Sequence, residues 1–273
     1  MNIYEVSTTE LHSLALEILN SRKYQNLGLP EETVADLLRN ELAHNKDKKN
    51  AIKNTRRKLH NIIAPYLGDL NYDQAQSQLE IAFQSVQSDK IKEFCQFILA
   101  QHISSRERLE ILENFYQKLF APISKPRIIL DMACALNPFS LPWMNLPYDI
   151  QYHAFDIHQP RVQLINRFFK LYGAQPFAEV RDVLLDPPTF HADAAFLFKE
   201  AHRMEQRRNG ASRDLLQALD VDSLFVSLPT CSLHGKRDLI SRMRLLMDII
   251  LKGLPWDVQE IAFTNELVFL IQK

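Results

Sequence analysis

Arg127–Leu141 reads Arg-Ile-Ile-Leu-Asp-Met-Ala-Cys-Ala-Leu-Asn-Pro-Phe-Ser-Leu, an apolar run that ends in an acid and continues into small residues. A short apolar run closed by turn residues is typical of a strand buried on both faces. The acid is Asp131, Ala133 and Ala135 follow it, and Asn137 with the next proline breaks the chain before helix-like sequence. Such an arrangement can form a nucleotide pocket, because backbone and helix amides approach a ligand there. Taken alone, the stretch is better explained as an ordinary buried strand and turn.

Length and composition are those of a globular protein without sign of export or membrane insertion. The 273 residues are enough for one large or two modest domains, and the apolar content of 46% and charged content of 24% are ordinary. The N-terminus lacks an apolar signal segment, and no apolar run is long enough to span a bilayer. The three cysteines are far apart and favour a reducing cytoplasm. Because His158, His202 and His234 lack the spacing of metal ligands, no metal is expected.

The first part of the chain, up to about residue 104, has the apolar spacing of helices and few strand signals. Within it, Lys46–Lys58 contains seven Lys or Arg residues and a single acid, Asp47. Four of these cations recur at helical spacing beside an apolar face: Lys46, Lys49, Lys53 and Arg57. Such a row either contacts phosphates or forms a solvated charged face. With so few acids available for pairing, the two interpretations are evenly balanced.

From Ser104 onward, the pattern changes to strands that alternate with helices. Ser104 or Ser105 is the expected N-cap of a helix that continues through Leu119. Seven strands are predicted at Arg127–Asp131, Gln151–Phe155, Pro176–Val180, Ala192–Phe198, Leu224–Leu228, Val258–Phe263 and Leu267–Ile271. Helices are predicted at Gln159–Tyr172, Ala201–Leu219 and Asp238–Leu251. The alternation implies a doubly wound, mostly parallel α/β sheet, and the last two strands are so close in sequence that they must pair as an antiparallel hairpin.

Acids follow three of the predicted strands, at Asp131, Asp156 and Asp182. Each is individually compatible with a turn or helix-cap acid. Together they would lie on one rim of the sheet, where Asp156 can accept hydrogen bonds from a ribose and Asp182 from an adenine amino group. This pattern favours an adenosine-containing cofactor. Seven strands with an antiparallel last pair look like a Rossmann-like S-adenosylmethionine-dependent methyltransferase rather than a dehydrogenase.

Several segments resemble the aminoglycoside-resistance 16S rRNA guanine-7 methyltransferases. The resemblance is carried by Arg127–Leu141, Phe155–Gln159, Arg181–Leu184, Phe198-Lys199, Val226–Thr230 and Asn265–Ile271. It extends upstream through His102–Leu109 and covers most of the chain. Asn137-Pro138 together with Asp156-Ile157-His158-Gln159 is specific to this family among methyltransferases.

The resemblance implies an all-helical domain at residues 1–104 that docks on the 30S subunit, and a Rossmann-like methyltransferase domain at residues 105–273. The implied cofactor is S-adenosylmethionine, and the implied target is ring nitrogen 7 of one guanine in the decoding centre of 16S rRNA. That nitrogen already carries a free lone pair, so positioning a flipped base suffices and no general base is required. The implied outcome is aminoglycoside resistance, conferred by a cytoplasmic protein that is expected to be monomeric.

The same resemblance assigns roles to individual residues. Arg108 would pair with the methionyl carboxylate of the donor, Asp156 would bind the ribose, and Asp182 with Val183 would flank the adenine. The full predicted donor set is Arg108, Asp131, Ala133, Ala135, Asn137, Asp156, Ile157, Asp182 and Val183. Phe198 and Lys199 would border the target base. The residues predicted to contact RNA are Lys46, Lys49, Lys53, Arg57, Arg203, Lys236 and Arg237.

The chain departs from the family pattern around the expected target site. Ala135 stands where most members have glycine, and Cys231 replaces a basic residue. Glu200–Arg203 replaces a run of leucines and proline, and residues 235–241 differ from a glycine- and lysine-rich loop. Two other functions therefore stay open. One is a donor-binding RNA- or ribosome-binding protein that does not transfer methyl groups, and the other is a methyltransferase for another RNA.

Overall fold

The computed structural model describes residues 6–45, 47–64, 70–84, 88–147, 149–175, 177–231 and 239–273. Two expected element starts, Pro176 and Asp238, lie outside these ranges. Within the ranges, none of the helices has the length and apolar character needed to cross a membrane.

Three helices at the start of the chain pack around a hydrophobic core of their own. They are α1 Thr8–Leu19, α2 Glu31–His44 and α3 Lys48–Ile63. The side chain of Asp47 accepts the backbone N–H groups of Lys49 and Asn50, which would otherwise lack partners at the start of α3. The helix predicted over the basic segment is therefore confirmed, with Asp47 as its N-cap.

The next two helices, α4 Tyr72–Gln84 and α5 Ser88–Ala100, belong to a different core from α1–α3: α4 packs against the helix Gln159–Tyr172, and α5 packs against the 3-10 turn Asn137–Ser140. Leu79 and Ile98 belong to the same buried cluster as Phe139 and Phe168, which come from the second half of the chain. The domain boundary at residue 104 stays a prediction. The hydrophobic cores themselves separate earlier, between residues 63 and 75.

The single helix predicted from Ser104 through Leu119 is wrong. The segment forms a short helix α6 Ile103–Arg106, a 3-10 turn Leu109–Ile111 and a second helix α7 Leu112–Phe120. Neither serine is the N-cap: His102 precedes α6, and the Ser105 hydroxyl donates to the carbonyl oxygens of Leu99 and His102. At the break the backbone changes to the tighter three-residue spacing, since the Arg108 N–H donates to the Ser105 carbonyl and the Ile111 N–H to the Arg108 carbonyl, and the buried guanidinium of Arg108 is held by Glu266.

Seven strands form one sheet with the order β3-β2-β1-β4-β5-β7-β6. They are β1 Ile128–Asp131, β2 Gln151–Asp156, β3 Phe177–Val180, β4 Ala192–Phe198, β5 Val221–Pro229, β6 Asp257–Ala262 and β7 Glu266–Gln272. β1–β5 pair in parallel, whereas β7 is antiparallel to both β5 and β6. The predicted mostly parallel sheet with its antiparallel terminal hairpin is confirmed.

The remaining helices cover both faces of the sheet and enclose two apolar cores. They are α8 Leu141–Met144, α9 Gln159–Tyr172, α10 Ala201–Arg207, α11 Ala211–Ala218 and α12 Ile240–Leu251. The single helix predicted over residues 201–219 is wrong in its middle. The chain turns at Gly210 with a φ of 81°, and the Glu205 carboxylate accepts the N–H groups of Gly210 and Ser212 there.

Candidate active site

The carboxyl ends of β1 and β4 carry an unusual backbone conformation. Ala133, Ala135 and Lys199 have φ values of 49°, 47° and 57°, in the left-handed region that side chains with a Cβ rarely adopt. Among the described residues, Asn145 is the only other non-glycine with positive φ. Strained residues that cluster on one rim of a sheet point to a functional site, where the surrounding structure holds them in place.

Asp131 closes β1 and is buried. Its Oδ2 accepts hydrogen bonds from Asn137 Nδ2 at 3.0 Å and from the Tyr152 hydroxyl at 2.7 Å. Burial raises the pKa of Asp131 to about 7, although these hydrogen bonds act in the opposite direction. Asp131 therefore holds Asn137 in place beneath the turn that contains Ala133 and Ala135.

Asp156 closes β2 and holds the same turn from its other side. Its Oδ2 accepts the Ala135 N–H at 3.1 Å and Arg161 Nη1 at 3.2 Å, and its Oδ1 accepts the His158 N–H at 2.8 Å. Asp156 and Arg161 are almost completely buried. The carboxylate thus links β1, β2 and the start of α9.

Asp182 follows β3 and meets the helical region at the start of the chain. Its Oδ2 accepts Thr33 Oγ1 at 2.8 Å and Arg207 Nη1 at 2.6 Å, and its Oδ1 accepts the Leu184 N–H at 3.2 Å. Arg207 also donates to Asp36 at 3.2 Å. The rim of the sheet and α2 are therefore joined by a chain of charged and hydroxyl groups.

A cavity of about 120 Å³ lies between this rim and the helices α2, α3 and α10. Five predicted donor residues line it: Ala133, Asp156, Ile157, Asp182 and Val183. Sequence reasoning missed the other side of the cavity, which is lined by Leu37, Lys58, Asn61, Ile62, Glu200, Met204, Gln206 and Arg207. Helical periodicity shows which face of a helix is apolar but not which partner it meets, so no local signal could identify the residues from α2 and α3.

Glu200 is the acid on the far side of this cavity. It precedes α10, and its carboxylate accepts Arg203 Nη1 at 3.2 Å. Burial raises the pKa of Glu200 to about 7, opposed by Arg203 and assisted by the nearby charge of Asp156. Three acids therefore line the cavity: Asp156 from β2, Asp182 after β3, and Glu200 from the segment that departs from the family pattern.

The predicted partner of the donor carboxylate, Arg108, is not among the residues that line the cavity and lies in a buried ionic cluster. Its Nε and Nη2 donate to the two carboxylate oxygens of Glu266 at 2.8 and 2.7 Å, and its Nη1 donates to Asn137 Oδ1 at 3.1 Å. The centre of the guanidinium lies 4.3 Å from the ring centroid of Phe198. Burial alone would raise the pKa of Glu266, but Arg108 and Lys199 lower it below the usual range.

Lys199 joins the same cluster from the end of β4. Its Nζ lies 2.5 Å from Glu107 Oε2 and 3.5 Å from Glu266 Oε2, and its side chain is almost fully buried. Both predicted residues of the target site, Phe198 and Lys199, therefore contact or adjoin Arg108. The structure brings together the residues proposed for the donor carboxylate and those proposed for the target base.

The predicted RNA contacts separate into three groups. Lys49, Lys53 and Arg57 are exposed on α3 and form no ion pair within the described ranges. Arg203, in contrast, donates to the backbone carbonyls of Asn61 and Ile62 at the end of α3. The remaining three, Lys46, Lys236 and Arg237, lie outside the described residues.

One group of possible metal ligands occurs elsewhere in the described part of the chain. His191, Asp193 and Asp222 have ligand atoms within 4.8 Å of one another, at the opposite edge of the sheet from the rim. Asp193 already accepts the backbone N–H groups of Arg127 and Ile128. These hydrogen bonds account for Asp193 as a structural residue that joins the starts of β1 and β4.

The geometry of the rim agrees with a comparison against protein families. The family model described as "Ribosomal RNA methyltransferase (FmrO)" matches residues 20–270. The chain belongs to this family of ribosomal RNA methyltransferases. The resemblance inferred from the rim motifs is therefore confirmed, since the match extends over nearly the whole chain.

Individual relatives of this rRNA methyltransferase chain agree with the family. A protein of Micromonospora echinospora named 16S rRNA (guanine(1405)-N(7))-methyltransferase is 30% identical over 263 residues, which are 94% of this chain and 94% of that protein. A protein of the same name from Serratia marcescens is 31% identical over 219 residues, or 80% of each chain.

Solved structures extend the likeness to the fold. The crystal structure of an rRNA methylase from Escherichia coli has 27% identity and a TM-score of 0.73, covering 96% of this chain and 99% of that one. The 16S rRNA methyltransferase RmtF, crystallised with S-adenosyl-L-homocysteine, has a TM-score of 0.76 and 24% identity and covers 98% of this chain and 100% of that one. At this lower identity, the second likeness supports the fold.

Proposed function

We propose that this chain transfers the methyl group of S-adenosylmethionine to ring nitrogen 7 of a guanine in 16S rRNA. One observation carries the proposal: three acids and a strained turn lie on the same rim of a methyltransferase sheet. The acids are Asp131, Asp156 and Asp182, and the turn contains Ala133 and Ala135. The names of the relatives and the S-adenosyl-L-homocysteine held by RmtF support the same reaction and donor. The proposed target is the guanine that the relatives' names number 1405.

The acids on the rim retain the hydrogen-bonding capacity that an adenosine needs. A carboxylate can accept about four hydrogen bonds, two on each oxygen. Counting hydrogen bonds within the described part of the chain, Oδ2 accepts two and Oδ1 accepts one on both Asp156 and Asp182, so each Oδ1 can accept one more. We assign the open position on Asp156 to a ribose hydroxyl and the one on Asp182 to the adenine amino group.

Arg108 retains donors for the methionyl carboxylate. Of its five N–H groups, Glu266 takes one on Nε and one on Nη2, and Asn137 takes one on Nη1. One N–H therefore stays available on each terminal nitrogen. A guanidinium fixed on one edge by a buried carboxylate is already oriented when a second carboxylate arrives, so little side-chain freedom is lost on binding.

The donor supplies a methyl group on a sulfonium centre, which the lone pair of guanine N7 can take while the carbon–sulfur bond breaks and its electron pair stays on sulfur. No proton moves, so the work of the protein is to align the two reactants and to exclude water. Lys199 lies at the end of β4, where its buried ammonium pairs with Glu107 and Glu266 and so helps to hold the cluster that fixes Arg108. The ring of Phe198 packs against the guanidinium of Arg108, so the residue proposed to bind the donor carboxylate is held next to the residues proposed to border the target base.

Docking is assigned to α3. Lys49, Lys53 and Arg57 present three exposed cations without competing acids in the described chain, which suits the phosphate groups of an assembled 30S subunit. We propose that the chain acts there as a cytoplasmic monomer and that methylation of the decoding centre confers resistance to gentamicin- and kanamycin-type drugs.

The test is transfer of labelled methyl groups to purified small subunits, followed by mapping of the modified nucleotide. Incorporation at N7 of the proposed guanine, lost in Asp156→Ala, is the expected result. Asp156→Ala should also weaken binding of S-adenosyl-L-homocysteine by about 1–3 kcal/mol, because a charged acceptor is lost.

Cys231→Arg restores the family's cation and serves as the companion variant. No transfer by the wild type, but transfer by Cys231→Arg, would favour the donor-binding RNA-binding protein without activity.

A further inference from the structure

Thr33 is a fully buried polar residue in the first turn of α2, far in sequence from the sheet. Its hydroxyl donates to Asp182 Oδ2 at 2.8 Å, so a side chain of the N-terminal helices completes the environment of an acid on the donor rim. A threonine hydroxyl carries a single proton, and that proton is committed to Asp182. The contact is thus specific to the carboxylate and does not merely fill space.

The hydrogen bonds from Thr33 and Arg207 converge on the same oxygen of Asp182. Arg207 Nη1 donates to Oδ2 at 2.6 Å, while Arg207 Nη2 donates to Asp36 of α2 at 3.2 Å. Two donors on Oδ2 fix the rotation of the carboxylate. Among the described residues, Oδ1 accepts only the Leu184 N–H at 3.2 Å, which leaves it the open position.

We propose that Thr33 is a positioning residue for donor recognition: its hydroxyl orients Asp182 so that Oδ1 can receive the adenine amino group. This inference rests on the proposed function, since it assigns Asp182 to the adenine. Without the hydroxyl, Asp182 keeps Arg207 on Oδ2 and the Leu184 N–H on Oδ1 but loses one of three donors that define its orientation. A carboxylate that is held less firmly is a weaker and less directional acceptor, because ordering it then becomes part of the cost of binding.

The test measures binding of S-adenosyl-L-homocysteine to the full chain by calorimetry. Thr33→Val removes the hydroxyl at nearly constant volume, and Thr33→Ser retains it. The matched control is Thr55→Val, because Thr55 is equally buried in the same group of helices but its hydroxyl donates to the Ala51 carbonyl within α3. Thermal unfolding of each variant shows that binding is measured on folded protein.

The expected result is that Thr33→Val weakens binding about three- to tenfold, the loss typical of one hydrogen bond, while Thr33→Ser and Thr55→Val stay within about twofold of the wild type. A second ligand isolates the positioning role: the analogue in which hydrogen replaces the adenine 6-amino group. Thr33→Val should leave the affinity for this analogue unchanged, because the amino group that Asp182 would receive is absent.

Two results would overturn the inference. One is an effect of Thr33→Val no larger than that of Thr55→Val, and the other is equal weakening of both ligands, which would indicate a purely structural role. Asp182→Asn separates this inference from the proposed function. If Asp182→Asn binds S-adenosyl-L-homocysteine like the wild type, the assignment of the adenine fails and the inference fails with it. If Asp182→Asn weakens binding but Thr33→Val does not, only the role of Thr33 is refuted.

Discussion

Replacing Glu266 by glutamine should be one of the most destabilising isosteric changes available in this chain. Glu266 has no exposed side-chain surface, and Arg108, which it binds through two hydrogen bonds, is only 3% exposed. The Lys199 ammonium lies 3.5 Å from Glu266 and 2.5 Å from Glu107, so Glu266 compensates Arg108 and shares the compensation of Lys199 with Glu107. Glutamine keeps the shape of the side chain but removes the charge, and its NH₂ group would face an N–H donor of Arg108.

The magnitude follows from burial. Removing one partner of a buried ion pair leaves an uncompensated charge and costs about 3–5 kcal/mol. A matched pair exists on the surface, where Arg244 donates to both oxygens of Glu260 at 2.8 and 2.6 Å. The side chains of Arg244 and Glu260 are 52% and 30% exposed. Since solvent screens such a pair, Glu260→Gln should cost only about 0–1 kcal/mol.

Urea denaturation of the wild type, Glu266→Gln and Glu260→Gln under the same conditions measures how much free energy of unfolding each substitution removes. A double variant, Arg108→Met with Glu266→Leu, removes both charges of the buried pair and should be more stable than Glu266→Gln, although it should no longer bind the donor. If Glu266→Gln is no less stable than Glu260→Gln, the buried cluster does not contribute to folding as its geometry indicates.

Three further changes test the other features of the site. Reversing the charges of Lys49, Lys53 and Arg57 should weaken binding to small subunits and make the fall of log K with log salt less steep, by about 2–3 in slope. The affinity for S-adenosyl-L-homocysteine should not change. Subunit binding equal to that of the wild type would favour a solvated charged face. Ala135→Gly should raise the free energy of unfolding by about 1 kcal/mol in urea denaturation, because a φ of 47° penalises a Cβ, and a decrease would contradict this account. Glu200→Gln should gain stability relative to the wild type as the pH rises from about 4.5 to about 7. Burial raises the pKa of Glu200 from 4.5 to about 7, so the unfolded carboxyl ionises while the folded one stays protonated, and wild-type stability falls across this window. Thermal midpoints of Glu200→Gln and the wild type, measured at both ends of this pH window, check the prediction. The difference between the two proteins should be larger at the higher pH, and a constant difference would contradict it.

The sheet could be predicted from local sequence because its strands are buried apolar runs closed by turn residues. The predicted ranges of β4 and α9 agree with the structure, and those of β1 and β2 differ by one residue. The order of acids along the chain was also informative, since Asp131, Asp156 and Asp182 follow adjacent parallel strands and so reach the same rim. In both cases, the signal lies within a few residues of the feature that it predicts.

Contacts between distant residues were not predictable in the same way. Nothing near Arg108 indicates that Glu266 will bind it, so the helix was expected to continue through a position where the chain in fact breaks. Likewise, Thr33 looks like an ordinary helix residue until α2 is placed against Asp182. Hydrophobic periodicity predicts that a face is buried, but the partner of a buried polar group depends on the tertiary arrangement.

The positions of the exposed cations on α3 also bear on how the RNA would reach the donor. Lys49, Lys53, Arg57 and Asn61 follow one another at four-residue spacing, so they form one row along the surface of the helix. Such a row turns slowly around the axis, because 3.6 residues complete each turn. Its last member, Asn61, lines the cavity beside the rim. A phosphate backbone that follows this row from Lys49, as proposed for docking, would therefore be led towards the cavity mouth.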